Sequence, residues 1–113
     1  MFHNHFTNCT FLVMVGNTGN FTSLDWGNQF SLASAAGIQG FALNMASDWE
    51  QNEDALKLAF SAASANGFYL FFSFDYAGGG PWDKQVVMRY ISTYGSEKYY
   101  WLHDGKPLVS TFE

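Results

Sequence analysis

Apolar runs and helix-like segments alternate along this chain, and each of the later runs leads into a carboxylate. The run 41–45 (Phe-Ala-Leu-Asn-Met) leads into Asp48, 69–74 (Tyr-Leu-Phe-Phe-Ser-Phe) stops at Asp75, and 107–112 (Pro-Leu-Val-Ser-Thr-Phe) stops at Glu113. An earlier run, 11–15, closes in Gly16-Asn17-Thr18-Gly19-Asn20. The runs recur at intervals of about 28 residues twice and then about 38, the length of a strand and a helix joined by short loops. Such an order predicts parallel strands with right-handed crossovers.

The segments between the runs carry helix signals. Thr22-Ser23-Leu24-Asp25 fits a capping box, and Trp26, Phe30 and Ala33 keep helical spacing up to Gly37, which predicts a first helix over about 23–36. Asn52 is placed to cap a second helix, with Glu53 and Asp54 in its first turn. Leu56, Ala59, Phe60 and Ala63 form its apolar face, and Asn66-Gly67 ends it. Pro81 suits the start of a third helix, with Val87, Tyr90, Ile91 and Tyr94 on one face and Gly95 at its close. Asp104-Gly105-Lys106-Pro107 reads as a turn before the fourth strand.

The predicted fold is therefore α/β, with four parallel strands and three helices. A closed (β/α) barrel has eight strands. The expectation is the N-terminal half of such a barrel, with 1–10 as an unmatched extension and 11–113 as a partial barrel. An open α/β sheet binding a small ligand at its strand ends is the alternative. Composition supports an incomplete core. Aromatics make up 19% of the chain, more than a small domain buries with ease, while charged residues are 13% against roughly 25% in typical soluble domains.

Five basic against ten acidic residues give no nucleic-acid footprint. No apolar run approaches the roughly 18 residues needed to span a membrane. Cys9 stands alone, so no internal disulfide forms. Asn8-Cys9-Thr10 and Asn20-Phe21-Thr22 are glycosylation sequons, a weak pointer to secretion, and the opening residues lack the basic segment of a signal peptide. His3 and His5 have ligand-like spacing but read as noise in a terminus. No metal or cofactor constellation stands out, and Gly78-Gly79-Gly80 lacks the Lys-Ser/Thr of a phosphate loop.

In a (β/α) barrel the active site gathers at the C-terminal ends of the strands. Two or three acids at one such rim suit glycoside hydrolysis, which needs a proton donor and a base or nucleophile. Asp48 and Asp75 are the catalytic candidates. Their plainer reading is loop capping. Asn17 and Asn44 end strands 1 and 2 and offer donor and acceptor together, as sugar hydroxyls require. Trp49, Tyr76 and Trp82 follow strands 2 and 3, where aromatic faces can stack on pyranose rings or pack over the barrel mouth. Glu113 is the weaker third acid. Trp26 and Trp101 read as core, and His103 beside Asp104 as a turn residue.

Six stretches in order are more specific than the fold pattern: 15–20 (Val-Gly-Asn-Thr-Gly-Asn), 35–38 (Ala-Ala-Gly-Ile), 40–44 (Gly-Phe-Ala-Leu-Asn), 71–76 (Phe-Phe-Ser-Phe-Asp-Tyr), 80–83 (Gly-Pro-Trp-Asp) and 104–112 (Asp-Gly-Lys-Pro-Leu-Val-Ser-Thr-Phe). Together they resemble the N-terminal part of the fungal α-1,3-glucanases (mutanases), glycoside hydrolase family 71. The resemblance implies a secreted or cell-wall (β/α)-barrel hydrolase that cuts α-1,3-glucan with inversion. It implies roles in activity for Asp48 and Asp75, with a further carboxylate pair beyond Glu113. It also implies a polysaccharide as the partner and no cofactor. One departure is Leu12, where family members usually carry a strand-1 His. The chain is accordingly expected to be an inactive fragment, with a non-catalytic carbohydrate-binding remnant as the alternative.

Overall fold

The computed structural model describes residues 10–113. His3, His5, Cys9 and the sequon at Asn8 lie outside the described residues. Four parallel strands, β1 (Thr10–Met14), β2 (Gly40–Ala46), β3 (Tyr69–Asp75) and β6 (Val109–Phe112), form one sheet in the order β1-β2-β3-β6. Three helices cross between them: α1 (Ser23–Ala35), α2 (Asn52–Asn66) and α3 (Lys84–Tyr94). The remaining two strands, β4 (Leu102–His103) and β5 (Lys106–Pro107), make a small antiparallel hairpin.

All three helices pack one side of the sheet. Paired residues of parallel strands share a face, so the register places Phe41 with Leu70, Leu43 with Phe72, and Met45 with Phe74. Phe30 of α1 meets Phe41 at 5.7 Å between ring centroids. Phe60 of α2 and Tyr90 of α3 meet Phe72 at 5.8 and 6.0 Å. This one-sided cover follows from consecutive strand order and right-handed crossovers. It is the arrangement of a partial (β/α) barrel and excludes the doubly wound alternative, which puts helices on both faces.

Local chemistry sets the helix ends. The capping box at the start of α1 forms as the sequence predicts. Thr22 Oγ1 accepts from the Asp25 amide at 3.2 Å, and the Thr22 amide donates to Asp25 Oδ2 at 2.8 Å. Gly67 closes α2 in the left-handed region at φ 67°. The start of α2 differs from expectation. Asn52 is its first helical residue and is buried, and its Nδ2 donates to the Ala46 carbonyl at 2.8 Å. The side chain thus ties the helix to the end of β2 instead of capping it. Pro81 likewise precedes the start of α3, which Asp83 caps by accepting from the Gln85 amide at 2.9 Å.

The fourth strand is shorter than its apolar run. Asp104 and Gly105 both take positive φ, 53° and 78°, which closes the two-residue turn of the β4–β5 hairpin and draws 106–107 out of the sheet. The fourth strand position is therefore filled in two pieces. Tyr100 bridges Leu70 in parallel, the hairpin steps out, and the chain resumes at Val109 opposite Phe72. The Leu108 amide donates to the Trp101 carbonyl at 3.0 Å and closes the excursion. Tyr100 spans the gap. Its hydroxyl accepts from the Phe72 amide at 3.0 Å and donates to the Leu108 carbonyl at 2.6 Å. Burial pushes this phenol far above the ordinary tyrosine value, against a smaller lowering by the Phe72 amide, so it stays protonated and remains a donor.

Trp26 is buried, as expected, against Phe21 and Phe30. Trp101 departs from its core assignment. It is half-buried and lies on the side of the sheet away from the helices, against Tyr69 and Phe71. Gly40 makes room for it, since a Cβ there would lie 2.4 Å from the Trp101 ring. The inner face also carries Leu12, Met14 and Phe112, all about half exposed on the two outer strands.

Candidate active site

The helix-free face becomes polar toward the C-terminal ends of the strands. Register places Met14, Asn44, Ser73 and Ser110 in one row across it. The next row toward that end holds Ala46, Asp75 and Phe112. Asn44, Ser73 and Asp75 are all buried. A polar group taken out of water needs a partner. Asn44 Nδ2 donates to Ser73 Oγ at 3.3 Å, and Asp75 Oδ1 accepts from the amides of Ala77 and Gly78, both at 2.9 Å.

Those two amides open a glycine loop that joins the two candidate acids. A Cβ on Gly78 would lie 2.8 Å from Asp75 Oδ2. A Cβ on Gly79 would lie 2.5 Å from Asp48 Oδ1 and 3.1 Å from the Ala46 Cβ. Only glycines let the backbone run against both carboxylates. Ser47 Oγ donates to the Gly79 carbonyl at 2.9 Å and holds the loop from the β2 side. Asn52 braces the same side through the Ala46 carbonyl. The structure thus brings Asp48 and Asp75 onto one loop, with Asp48 exposed and Asp75 buried.

This packing predicts the behaviour of Gly79→Ala. The added methyl displaces either the loop or Asp48. Misplacing a reacting group by about 1 Å can cost roughly a hundredfold. Turnover by the full protein carrying these residues is expected to drop at least about tenfold, with the melting temperature nearly unchanged. Steady-state rates set beside a thermal melt check this. Full activity in the variant would detach Asp48 from the site.

The other candidates fall in different places. Asn44 sits on the inner face below Asp75. Asn17 is exposed in the 3-10 turn Val15–Asn17 that follows β1, two strands away from Asp75. Trp49 is half-buried and packs on Gly19 of that same region, with a Cβ there only 3.4 Å from its ring. Tyr76 is half-buried, and its amide donates to the Phe112 carbonyl at 2.8 Å. Glu113 is exposed just past β6. Trp82 lies in the helix layer. It is buried edge-on to Phe74 and Tyr90, and its Nε1 donates to the Asp75 carbonyl at 3.1 Å. The indole is therefore not free to stack on a sugar and instead supports Asp75 from behind.

Ser47, Ser73 and Ser110 were missed from sequence. Ser73 carried a signal, as the lone polar residue in an apolar run, two positions before Asp75 and so on its face. Ser47 and Ser110 carried none, because their positions depend on the loop and on strand register.

The chain is similar to known proteins in sequence and in fold. The chain is 42% identical over 105 residues to a glucan endo-1,3-alpha-glucosidase of Schizosaccharomyces pombe, covering 88% of this chain and 23% of that protein. It is 32% identical over 99 residues to a mutanase of Penicillium rubens, covering 88% and 22%. The chain thus spans about a quarter of the length of these relatives. A GH99 endo-alpha-mannosidase from Bacteroides thetaiotaomicron shares the fold, with a TM-score of 0.63 over 80% of this chain and 29% of that one at 15% identity. The model of glycosyl hydrolase family 71 matches residues 7–113. By that match over nearly the whole chain, and by its 42% identity to the first of these relatives, the chain belongs to glycosyl hydrolase family 71.

Proposed function

We propose that this chain is part of the catalytic barrel of an enzyme that hydrolyses α-1,3-glucan, with Asp48 and Asp75 in its sugar-binding rim. The observation that carries this reading is the glycine loop held against both carboxylates above the buried Asn44–Ser73 row. Family membership and the names of the two relatives supply the substrate class. The reading brings with it an extracellular or cell-wall location, where such a polymer is found.

Inverting hydrolysis needs an acid at the bridging oxygen and a base that activates water opposite, with carboxyls about 6.5–9.5 Å apart. Asp75 commits Oδ1 to two loop amides and leaves Oδ2 to meet a hydroxyl or to orient its neighbours. Asp48 is open to solvent and is the acid better placed to touch substrate directly. The acid–base set is completed by carboxylates outside these 113 residues. Asn44 lends donor and acceptor capacity beneath them.

The test compares the full protein carrying this chain with the isolated 113 residues. Both are assayed for reducing-sugar release from α-1,3-glucan, with α-1,4- and β-1,3-glucans as controls. The full protein is expected to act on α-1,3-glucan alone. The isolated chain is expected to be inactive, because it lacks the completing acids, and associated, because outer-strand apolar residues such as Phe11 and Phe112 stay more than half exposed. Binding of α-1,3-glucan without hydrolysis by the full protein would favour the carbohydrate-binding remnant. Hydrolysis by the isolated chain would overturn the placement of the missing acids.

A further inference from the structure

A second recess lies beside the acid rim. Asp48 and Trp49 are consecutive, yet they serve different neighbours. Asp48 meets Gly79 of the loop after β3, and Trp49 meets Gly19 of the loop after β1. On the Trp49 side is a crevice of about 180 Å³, lined in part by Thr18, Gly19, Trp49, Gln51, Asp54 and Leu58. Its size falls below the roughly 300–1,000 Å³ of drug-sized pockets and suits a single sugar ring.

The lining has the chemistry of a pyranose. The Trp49 indole and Leu58 supply apolar surface for the C–H face of a ring. The Gln51 amide donates and accepts, and the Asp54 carboxylate accepts from neighbouring hydroxyls. Arg89 pairs with Glu53 at 3.4 Å, which leaves Asp54 without an ion-pair partner among the described residues. Gly19 holds the recess open. A Cβ there would lie 2.9 Å from Gln51 Oε1, so the amide would have to move, and would rest in contact with the indole at 3.4 Å.

We infer that this crevice is a subsite for one glucosyl unit of the polymer, next to the acid rim and separate from it; the inference rests on the α-1,3-glucan reading above. A chain bound at Asp48 and Asp75 runs over the loop 47–51 and sets a further sugar on Trp49. The subsite therefore favours long substrates over short ones.

The experiment uses the full protein carrying these residues. Gln51→Ala and Asp54→Ala are compared with the parent and with Lys57→Ala, an exposed α2 residue outside the crevice. Retention on insoluble α-1,3-glucan is measured, along with kcat/KM on long and short α-1,3-linked gluco-oligosaccharides. For Asp54→Ala the preference for long over short substrates is expected to fall about tenfold, the worth of one hydrogen bond to a charged group. Gln51→Ala should fall in the same direction, and Lys57→Ala should match the parent. Unchanged preference in both crevice variants overturns the inference. So does equal loss on long and short substrates with a lowered melting temperature, which marks a structural role. A parent that neither binds nor cleaves α-1,3-glucan refutes the functional reading itself and takes this subsite with it.

Discussion

Replacing Asp75 by Asn in the full protein should cut turnover of α-1,3-glucan at least tenfold, or about 1.4 kcal/mol of transition-state stabilisation. The substitution is informative because of where the two oxygens point. Oδ1 accepts from Ala77 and Gly78, and an amide oxygen can keep both bonds. The glycine loop and its contact with Asp48 are therefore retained while the charge is removed. A loss confined to kcat, with an unchanged melt, places the carboxylate in the chemistry. Near-normal turnover returns Asp75 to loop holding alone.

The second large effect is on stability. Tyr100→Phe keeps the ring against Phe60 and Phe72 but removes the hydroxyl that fills the gap in the fourth strand. The buried Phe72 amide then loses its acceptor and the Leu108 carbonyl its donor. Each such loss costs about 1–3 kcal/mol. A total of about 2–6 kcal/mol is expected, a large share of a domain stability of about 5–15 kcal/mol. Denaturant unfolding of the full protein measures it. A change below about 0.5 kcal/mol would mean that the strand closes over the gap without the phenol.

Much of this protein was settled by its sequence alone. The βα order, the capping box at Thr22, the apolar faces of the helices and the acids at the strand ends depend on local spacing and chemistry. They hold whatever the rest of the chain does. Six ordered stretches were enough to indicate the family. The sequence did not show what depends on long-range register and loop path. Asn52 reads as a cap by residue type, but the Ala46 carbonyl competes for its side chain. Trp82 reads as a rim aromatic by position, yet the chain turns it into the helix layer under Asp75. The Asp-Gly turn drew the start of the fourth apolar run into a hairpin and left Tyr100 to bridge the break. Only the tertiary structure sets Gly78 and Gly79 against the two carboxylates. That contact needs β2 and β3 side by side in one register, and no residue pattern along the chain records it.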